Sequence, residues 1–341
     1  MWKSVAAAIV AMSASAVAGE PTPLFSDDAP IEISLSAPWK AVARAAPDDA
    51  PIDGVLRHDG VDFQVLVSTR GKSRRRKEVC AFPPLRIEFK EKQPEGSLFH
   101  KQKKLKFVSY CRKAESHQQL VLTEYAAYRL YNAATPESFR VRLADVSYVD
   151  AATGEAETRR MGFFIEDADD LARRVDLEEV KRGRTPVSMF RPDAAARVAV
   201  FQYMIGNLDW ELTAGPEGED CCHNGKILGA AENAEAGLVS VPYDFDMSGL
   251  VDAPYAAPPE QFRIRSVTSR VFRGFCAHND ETRAAAREFA AARPAYENAL
   301  AATPGLSDKS KKKSLKFLAG FFDAVGDDAA VEKNLIGKCR G

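Results

Sequence analysis

Residues 104–132 read KLKFVSYCRKAESHQQLVLTEYAAYRLYN, and the change of period inside this stretch decides the fold class. Over 104–110 the pattern alternates, putting Leu105 and Phe107 on one face of a strand and Lys104, Lys106 and Val108 on the other. From about His117 the period becomes helical and runs to Asn132, where Thr135-Pro136 stops it. Upstream, 31–35 (IEISL), 62–69 (DFQVLVST) and 85–90 (LRIEFK) read as strands. Downstream, 140–149 (RVRLADVSYV) and 161–166 (MGFFIE) read as two more, joined by an acidic turn around Gly154. The rest is mainly helical: 194–205 with Asp193 as N-cap, then 280–300 and 309–325. A long polar loop, 206–225, and two short strands, 226–228 and 238–241, interrupt it. β-rich sequence followed by helical sequence, with no internal repeat, predicts an α+β protein rather than βαβ alternation.

The first 18 residues predict an export signal. Lys3 supplies positive charge, 5–11 (VAAAIVA) a short apolar core, and Ala16 and Ala18 the small residues of a cleavage site before Gly19. The mature protein is thus expected in the periplasm or outside the cell. Residues 19–30, rich in Pro and Asp, are expected to be disordered, with a β-rich part over 31–168 and a helical part over 169–341. No later stretch is apolar enough to span a bilayer. The net charge of −1 gives no electrostatic case for a nucleic-acid partner. Six cysteines in an exported chain read as disulfides, with Cys221 and Cys222 each bonded elsewhere; zinc is the rival reading, without Cys-x-x-Cys spacing to support it.

Three short stretches can carry chemistry: Gly206-Asn207-Leu208-Asp209-Trp210 after an apolar helix, His223-Asn224 before a strand, and Tyr243-Asp244-Phe245-Asp246 after another. Two Asp and an Asn at element ends offer the hard oxygen ligands that magnesium prefers. Phosphoryl transfer needs one Asp on the attacking hydroxyl, and an Asn and a second Asp on the metal, in the order seen for Asp209, Asn224 and Asp244. The plain alternative is that Asp209 caps a helix and Asp244 sits in a turn. Upstream, Glu124 is ringed on its helix by Leu120, Val121, Ala127 and Tyr128 and wants a cation. Lys106 or Lys104 on the preceding strand could supply it, or Arg129 or another surface Arg. The basic turn Arg70-Gly71-Lys72-Ser73-Arg74 could cradle phosphate or lie in solvent.

Taken in order, these motifs resemble the CotH family of atypical kinases, over roughly residues 60–250. The resemblance rests on Arg70-Gly71-Lys72-Ser73-Arg74, the Arg86-Ile87-Glu88-Phe89 strand, Tyr125-Ala126-Ala127-Tyr128, Phe163-Phe164-Ile165-Glu166, Asn207-Leu208-Asp209, Asn224 and Tyr243-Asp244-Phe245-Asp246. Lys72 stands where the family has Asn, and the gap from Asp209 to Asn224 is longer than in kinases. The resemblance implies a two-lobed protein-kinase-like fold and a Mg2+-dependent (or Mn2+-dependent) transfer of phosphate from ATP to a protein. It makes Asp209 catalytic, Asn224, Asp244 and Asp246 metal ligands, and Lys106, Lys104, Glu124, Arg70, Ser73, Arg74 and Glu166 nucleotide contacts, Glu124 holding Lys106 and Glu166 lying at the adenine edge. It also leaves room for a protein-binding relative without activity, or for transfer of AMP or glutamate. A Cys276–Cys339 bridge is the further hypothesis for the C-terminal region.

Overall fold

Alternating apolar residues on seven strands face one another and fill the inside of a closed barrel. The computed structural model describes residues 19–46 and 49–341, so the expected signal peptide over 1–18 lies outside the described residues. The strands are β1 (Ile31–Ala37), β2 (Ile52–His58), β3 (Val61–Thr69), β4 (Leu85–Phe89), β5 (Lys104–Val108), β6 (Val141–Asp150) and β7 (Ala156–Ile165), in the order β1-β2-β3-β4-β5-β7-β6. Neighbours run antiparallel except at the closure, where β1 lies parallel to β6 from Ile31↔Ala144 to Ala37↔Asp150. Ile33, Leu35, Val65, Val67, Leu105 and Phe107 point inward and are buried. Gly162 on β7 permits this packing: a Cβ there would lie 2.4 Å from the Phe107 ring and 2.5 Å from the Val108 carbonyl.

The 20-residue helix α2 (Glu115–Ala134) lies against the outside of the barrel on β6 and β7. It is buried around most of its circumference because α6 (Arg293–Ala301) and α7 (Asp308–Ala324) cover its other side. One continuous core runs from Leu143 and Phe163 on the barrel wall, through Tyr128 and Tyr131, to Phe201 of α4 (Pro192–Ile205) and Phe289 of α5 (Asn279–Ala291). The expected two-lobed kinase-like fold is therefore corrected. The β-strands form a closed mixed barrel, and the helical region shares a core with its wall. The strand periods were consistent with either arrangement, since what closes the ring is a parallel pairing of segments far apart in sequence.

Smaller departures have local causes. Residues 19–30, expected to be disordered, include a 3-10 turn, Pro23–Phe25, whose Leu24 and Phe25 are buried in the barrel core. The Arg140 guanidinium donates to the Phe25 carbonyl at 2.9 Å. Asp193 lies in the first turn of α4 rather than at its cap, bonded to Arg191, because Pro192 starts the helix. Arg293-Pro294 divides the expected 280–300 helix into α5 and α6. All six cysteines are oxidised as Cys80–Cys111, Cys221–Cys222 and Cys276–Cys339, which removes the zinc reading. The proposed Cys276–Cys339 bridge is present. The expectation that Cys221 and Cys222 bond elsewhere is not met: the other four pair among themselves, and these two join across a cis peptide.

Candidate active site

Two chain reversals bring the predicted residues together. Helix α4 ends at Gly206 in the left-handed region (φ +62°), with the Asn207 N–H bonded to the Gln202 carbonyl at 2.8 Å. This six-residue closure is a Schellman-type C-cap. A side chain at Gly206 would also meet Phe317 at 2.9 Å. The chain then turns through Asn207, whose Oδ1 accepts the Asp209 N–H at 3.0 Å. The second reversal is the hairpin of β9 (Gly225–Gly229) and β10 (Val239–Pro242), edged by β8 (Glu178–Glu179). Pairing of Gly225 with Pro242 sets Asn224 beside Tyr243, and the Tyr243 N–H donates to the Asn224 carbonyl at 3.0 Å. The loop after Asp246 docks on α4, through Gly249 N–H to Gly206 carbonyl and Leu250 N–H to Ile205 carbonyl, both 3.0 Å.

Asp209 is the hub of the first group. Its Oδ1 lies 2.8 Å from His223 Nε2, and its Oδ2 accepts from Asn224 Nδ2 at 3.0 Å. The same Nδ2 donates to the Asp209 carbonyl at 2.6 Å. With its amide committed this way, Asn224 Oδ1 accepts no hydrogen bond among the described residues. The hydrogen bond that the His223 ring donates to Asp209 raises the His223 pKa against the opposing effect of burial. Asn224 and Asp244 both hold positive φ, +52° and +63°, a conformation that Asn and Asp tolerate better than most residues. The Asp244 N–H donates to the Tyr128 hydroxyl at 2.9 Å, which ties this loop to α2.

The second group is built on Arg74, in the 3-10 turn Ser73–Arg75. Its buried guanidinium donates to both Glu124 oxygens, at 2.8 and 3.3 Å, and to Asp244 Oδ1 at 2.9 Å. Its Nε lies 3.1 Å from Asp246 Oδ2, close enough for an ion pair though not aligned as a hydrogen bond. Burial pushes the Glu124 and Asp246 carboxyls upward, and Arg74 pulls both back. Glu124 therefore holds Arg74, not Lys106. The Cys80–Cys111 disulfide anchors the chain just after this turn to the residues preceding α2.

Lys106 stands apart on the outer face of β5, with no carboxylate in ion-pair range among the described residues. Its ammonium lies 5.2 Å from the Tyr243 ring centre and 5.8 Å from that of Phe139. Burial, with help from Arg70 and Lys226, lowers its pKa from 10.5 to about 8. Arg70 borders the same space, and its N–H donates to the Pro84 carbonyl at 2.9 Å. Ser73 opens the turn that carries Arg74. Lys104 points from the same strand face to solvent and pairs with Glu88 at 3.4 Å. Glu166 is 1% exposed, and its carboxylate is committed to Arg174, at 2.9 and 3.0 Å, and to the Arg140 N–H at 3.0 Å. The structure thus gathers Asp209, Asn224, Asp244, Asp246, Glu124 and Arg74, sets Lys106, Arg70 and Ser73 at the margin, and leaves out Lys104 and the Glu166 side chain.

The donor set suits a hard cation. Asn224 Oδ1 and the Asp244 oxygen not bonded to Arg74 are oxygens without hydrogen-bond partners among the described residues, which is the donor chemistry magnesium takes. Among the described residues, no group of three or more His, Cys, Asp or Glu side chains is arranged to hold a metal. Asp246 faces Arg74 instead. A separate cavity of about 550 Å³ beside α3 (Ala168–Arg174) and β8 is lined by Asp169, Arg173, Asp176, Glu178, Glu179 and Lys181. It adjoins the Lys106 side through Glu179, which pairs with Lys226 at 2.7 Å. Sequence reasoning singled out His223 with Asn224 but assigned it no role, and gave none to Tyr128, Glu211 or Arg273. His223 was detectable from its place next to Asn224.

No family model and no curated protein matches the sequence. Among solved structures, the chain is similar to that of the Helicobacter pylori proinflammatory kinase CtkA, with 11% identity and a TM-score of 0.40 over 86% of this chain and 95% of that one.

Proposed function

We propose that the protein is a phosphotransferase that moves the terminal phosphate of ATP to a hydroxyl of a protein substrate outside the cytoplasm. The bond of Asn224 to Asp209, the placing of Tyr243-Asp244 beside Asn224, and a lysine without an ion-pair partner among the described residues near the Tyr243 ring carry this reading. Asp209 accepts the proton of the attacking hydroxyl, while His223 and Asn224 fix its two oxygens. Asn224 and Asp244 would hold magnesium, which when bound neutralises phosphate charge. Lys106 and Arg70 draw the phosphates towards Tyr243-Asp244. Arg74 and Glu124 hold Asp244 in place from behind, and Asp246 completes that buried cluster. The three disulfides fit an oxidising compartment.

The test is incubation of the mature protein with γ-labelled ATP, magnesium and extracellular protein extract. Wild type is expected to transfer label, and Asp209→Ala to lose it by about 10²- to 10⁴-fold, the usual worth of a positioned base, with an unchanged melting curve. Equal transfer by both proteins would reject the assignment. A second reading, a binding module without transfer, is favoured by Arg74, which already gives Asp244 and Asp246 a fixed cation. Stabilisation by magnesium and ATP with no label transferred by wild type would select it.

A further inference from the structure

The loop that carries Asp209 has no regular secondary structure of its own, yet a brace from the distant 273–340 region holds it. Glu211 lies two residues beyond Asp209, and its N–H donates to the carbonyl of His223 at 3.1 Å, joining the two halves of the Asp209–His223 pair. Arg340 grips the Glu211 carboxylate with both terminal nitrogens, Nη1 to Oε2 and Nη2 to Oε1, each at 2.8 Å. Arg273 adds a bond to Oε2 at 2.7 Å. Its other terminal nitrogen donates to the carbonyls of Leu208, at 3.1 Å, and of Trp210, the residues on either side of Asp209. The Trp210 ring lies 5.1 Å from the Arg273 guanidinium and 6.0 Å from that of Arg340. Burial disfavours the Glu211 charge, but the Arg340 hydrogen bonds and the two guanidinium charges hold its pKa near 2.

Arg340 reaches this position because its own strand segment is fixed twice. Its N–H donates to the Gly274 carbonyl and its carbonyl accepts from Cys276, both at 2.9 Å, and the Cys276–Cys339 disulfide locks the same pair of segments. We propose that Arg340 is a positioning residue for Asp209. It acts through Glu211 and Arg273, and the Cys276–Cys339 disulfide is the tether that keeps it engaged. The assignment of a catalytic role to Asp209 rests on the phosphotransfer reading; the brace itself does not.

The experiment therefore reads the loop first and activity second. Full-length wild type, Arg340→Ala, Arg340→Lys and Cys339→Ser are compared by hydrogen exchange over 207–213 and by Trp210 emission. In Arg340→Ala the Glu211 amide is expected to exchange about tenfold faster, as local opening is freed, while the α2 amides stay unchanged. Trp210 emission shifts as its neighbouring cation leaves. Arg340→Lys restores one charge without the two-point grip and is intermediate. Cys339→Ser, which keeps Arg340 but cuts the tether, follows Arg340→Ala. Faster exchange confined to 274–278, with 207–213 and Trp210 unchanged, would show a purely local structural role and overturn the proposal. Where wild type transfers phosphate, Arg340→Ala lowers kcat about tenfold or more, as small misplacements do, at constant KM for ATP. A raised KM at constant kcat would also overturn it. If wild type transfers nothing, the phosphotransfer reading fails while exchange and emission still decide whether the brace exists.

Discussion

Replacing Lys106 by Met should make the protein more stable and, if the phosphotransfer reading holds, remove its stabilisation by ATP. The ammonium is desolvated, has two like charges nearby and no ion-pair partner among the described residues, so its pKa falls from 10.5 to about 8. At about 1.4 kcal/mol per pH unit, a fully desolvated charge with this pKa costs the fold roughly 3 kcal/mol at neutral pH. The side chain is only half-buried, and the Tyr243 and Phe139 rings attract it, so the expected gain for Lys106→Met is about 1–2 kcal/mol. Its pH dependence has a definite sign. Below about pH 8 the lysine is protonated in both folded and unfolded chains, and the penalty is constant. Between about 8 and 10.5 the folded protein releases its proton first, the unfolded chain binds more protons, and wild-type stability rises towards the variant. Urea titrations at pH 7 and pH 10 should show the gap closing at equal slopes. Stabilisation of wild type by magnesium and ATP should vanish in the variant. A variant less stable than wild type at pH 7, or a gap unchanged at pH 10, would refute the account of Lys106 as an unpaid buried charge; undiminished stabilisation by ATP would refute its role at the phosphates.

Two further substitutions test the architecture around the site. Arg74→Met strands Glu124 and Asp246 without their cation and should cost about 3–5 kcal/mol, read as a lower urea midpoint. The loss should be smaller at pH 5 than at pH 8, because burial already favours protonated carboxyls there. Gly162→Ala places a Cβ 2.4 Å from the Phe107 ring on the opposed strand, and overpacking of that kind should cost about 1–3 kcal/mol, seen as a lower midpoint in thermal melts by circular dichroism.

Most strands were legible because a barrel wall is wet or lightly covered on one face and dry on the other. Ile31, Ile33 and Leu35, or Val65 and Val67, then stand out at period two. Strand β2 was hidden, since Asp53, Gly54, Arg57 and His58 break its alternation, and Gly54 is small because a Cβ there would meet the Ser36 carbonyl at 2.8 Å. Closure was illegible in principle: Ile31 pairs with Ala144 through backbone groups, which every residue carries. Asp209, Asn224 and Asp244 were legible as short polar residues at the ends of apolar elements, where a carboxylate or amide is either a cap or a ligand.

The partner of Glu124 was the step that local pattern could not supply, and its identity bears on the chemistry. The 70–77 run carries six basic residues and reads as a solvated face, yet Arg74 alone among them is buried. The 3-10 turn aims that one side chain inward while its neighbours stay in water. Arg74 hydrogen-bonds Glu124 and lies in ion-pair range of Asp246, so the buried carboxyls have a cation supplied by the chain itself. Under the phosphotransfer reading, the oxygens of Asn224 and Asp244 without partners are the pair left for an exchangeable ion. If the phosphotransfer reading holds, a metal at Asn224 and Asp244 could exchange without disturbing the buried cluster beneath, because Glu124 and Asp246 take their cation from Arg74.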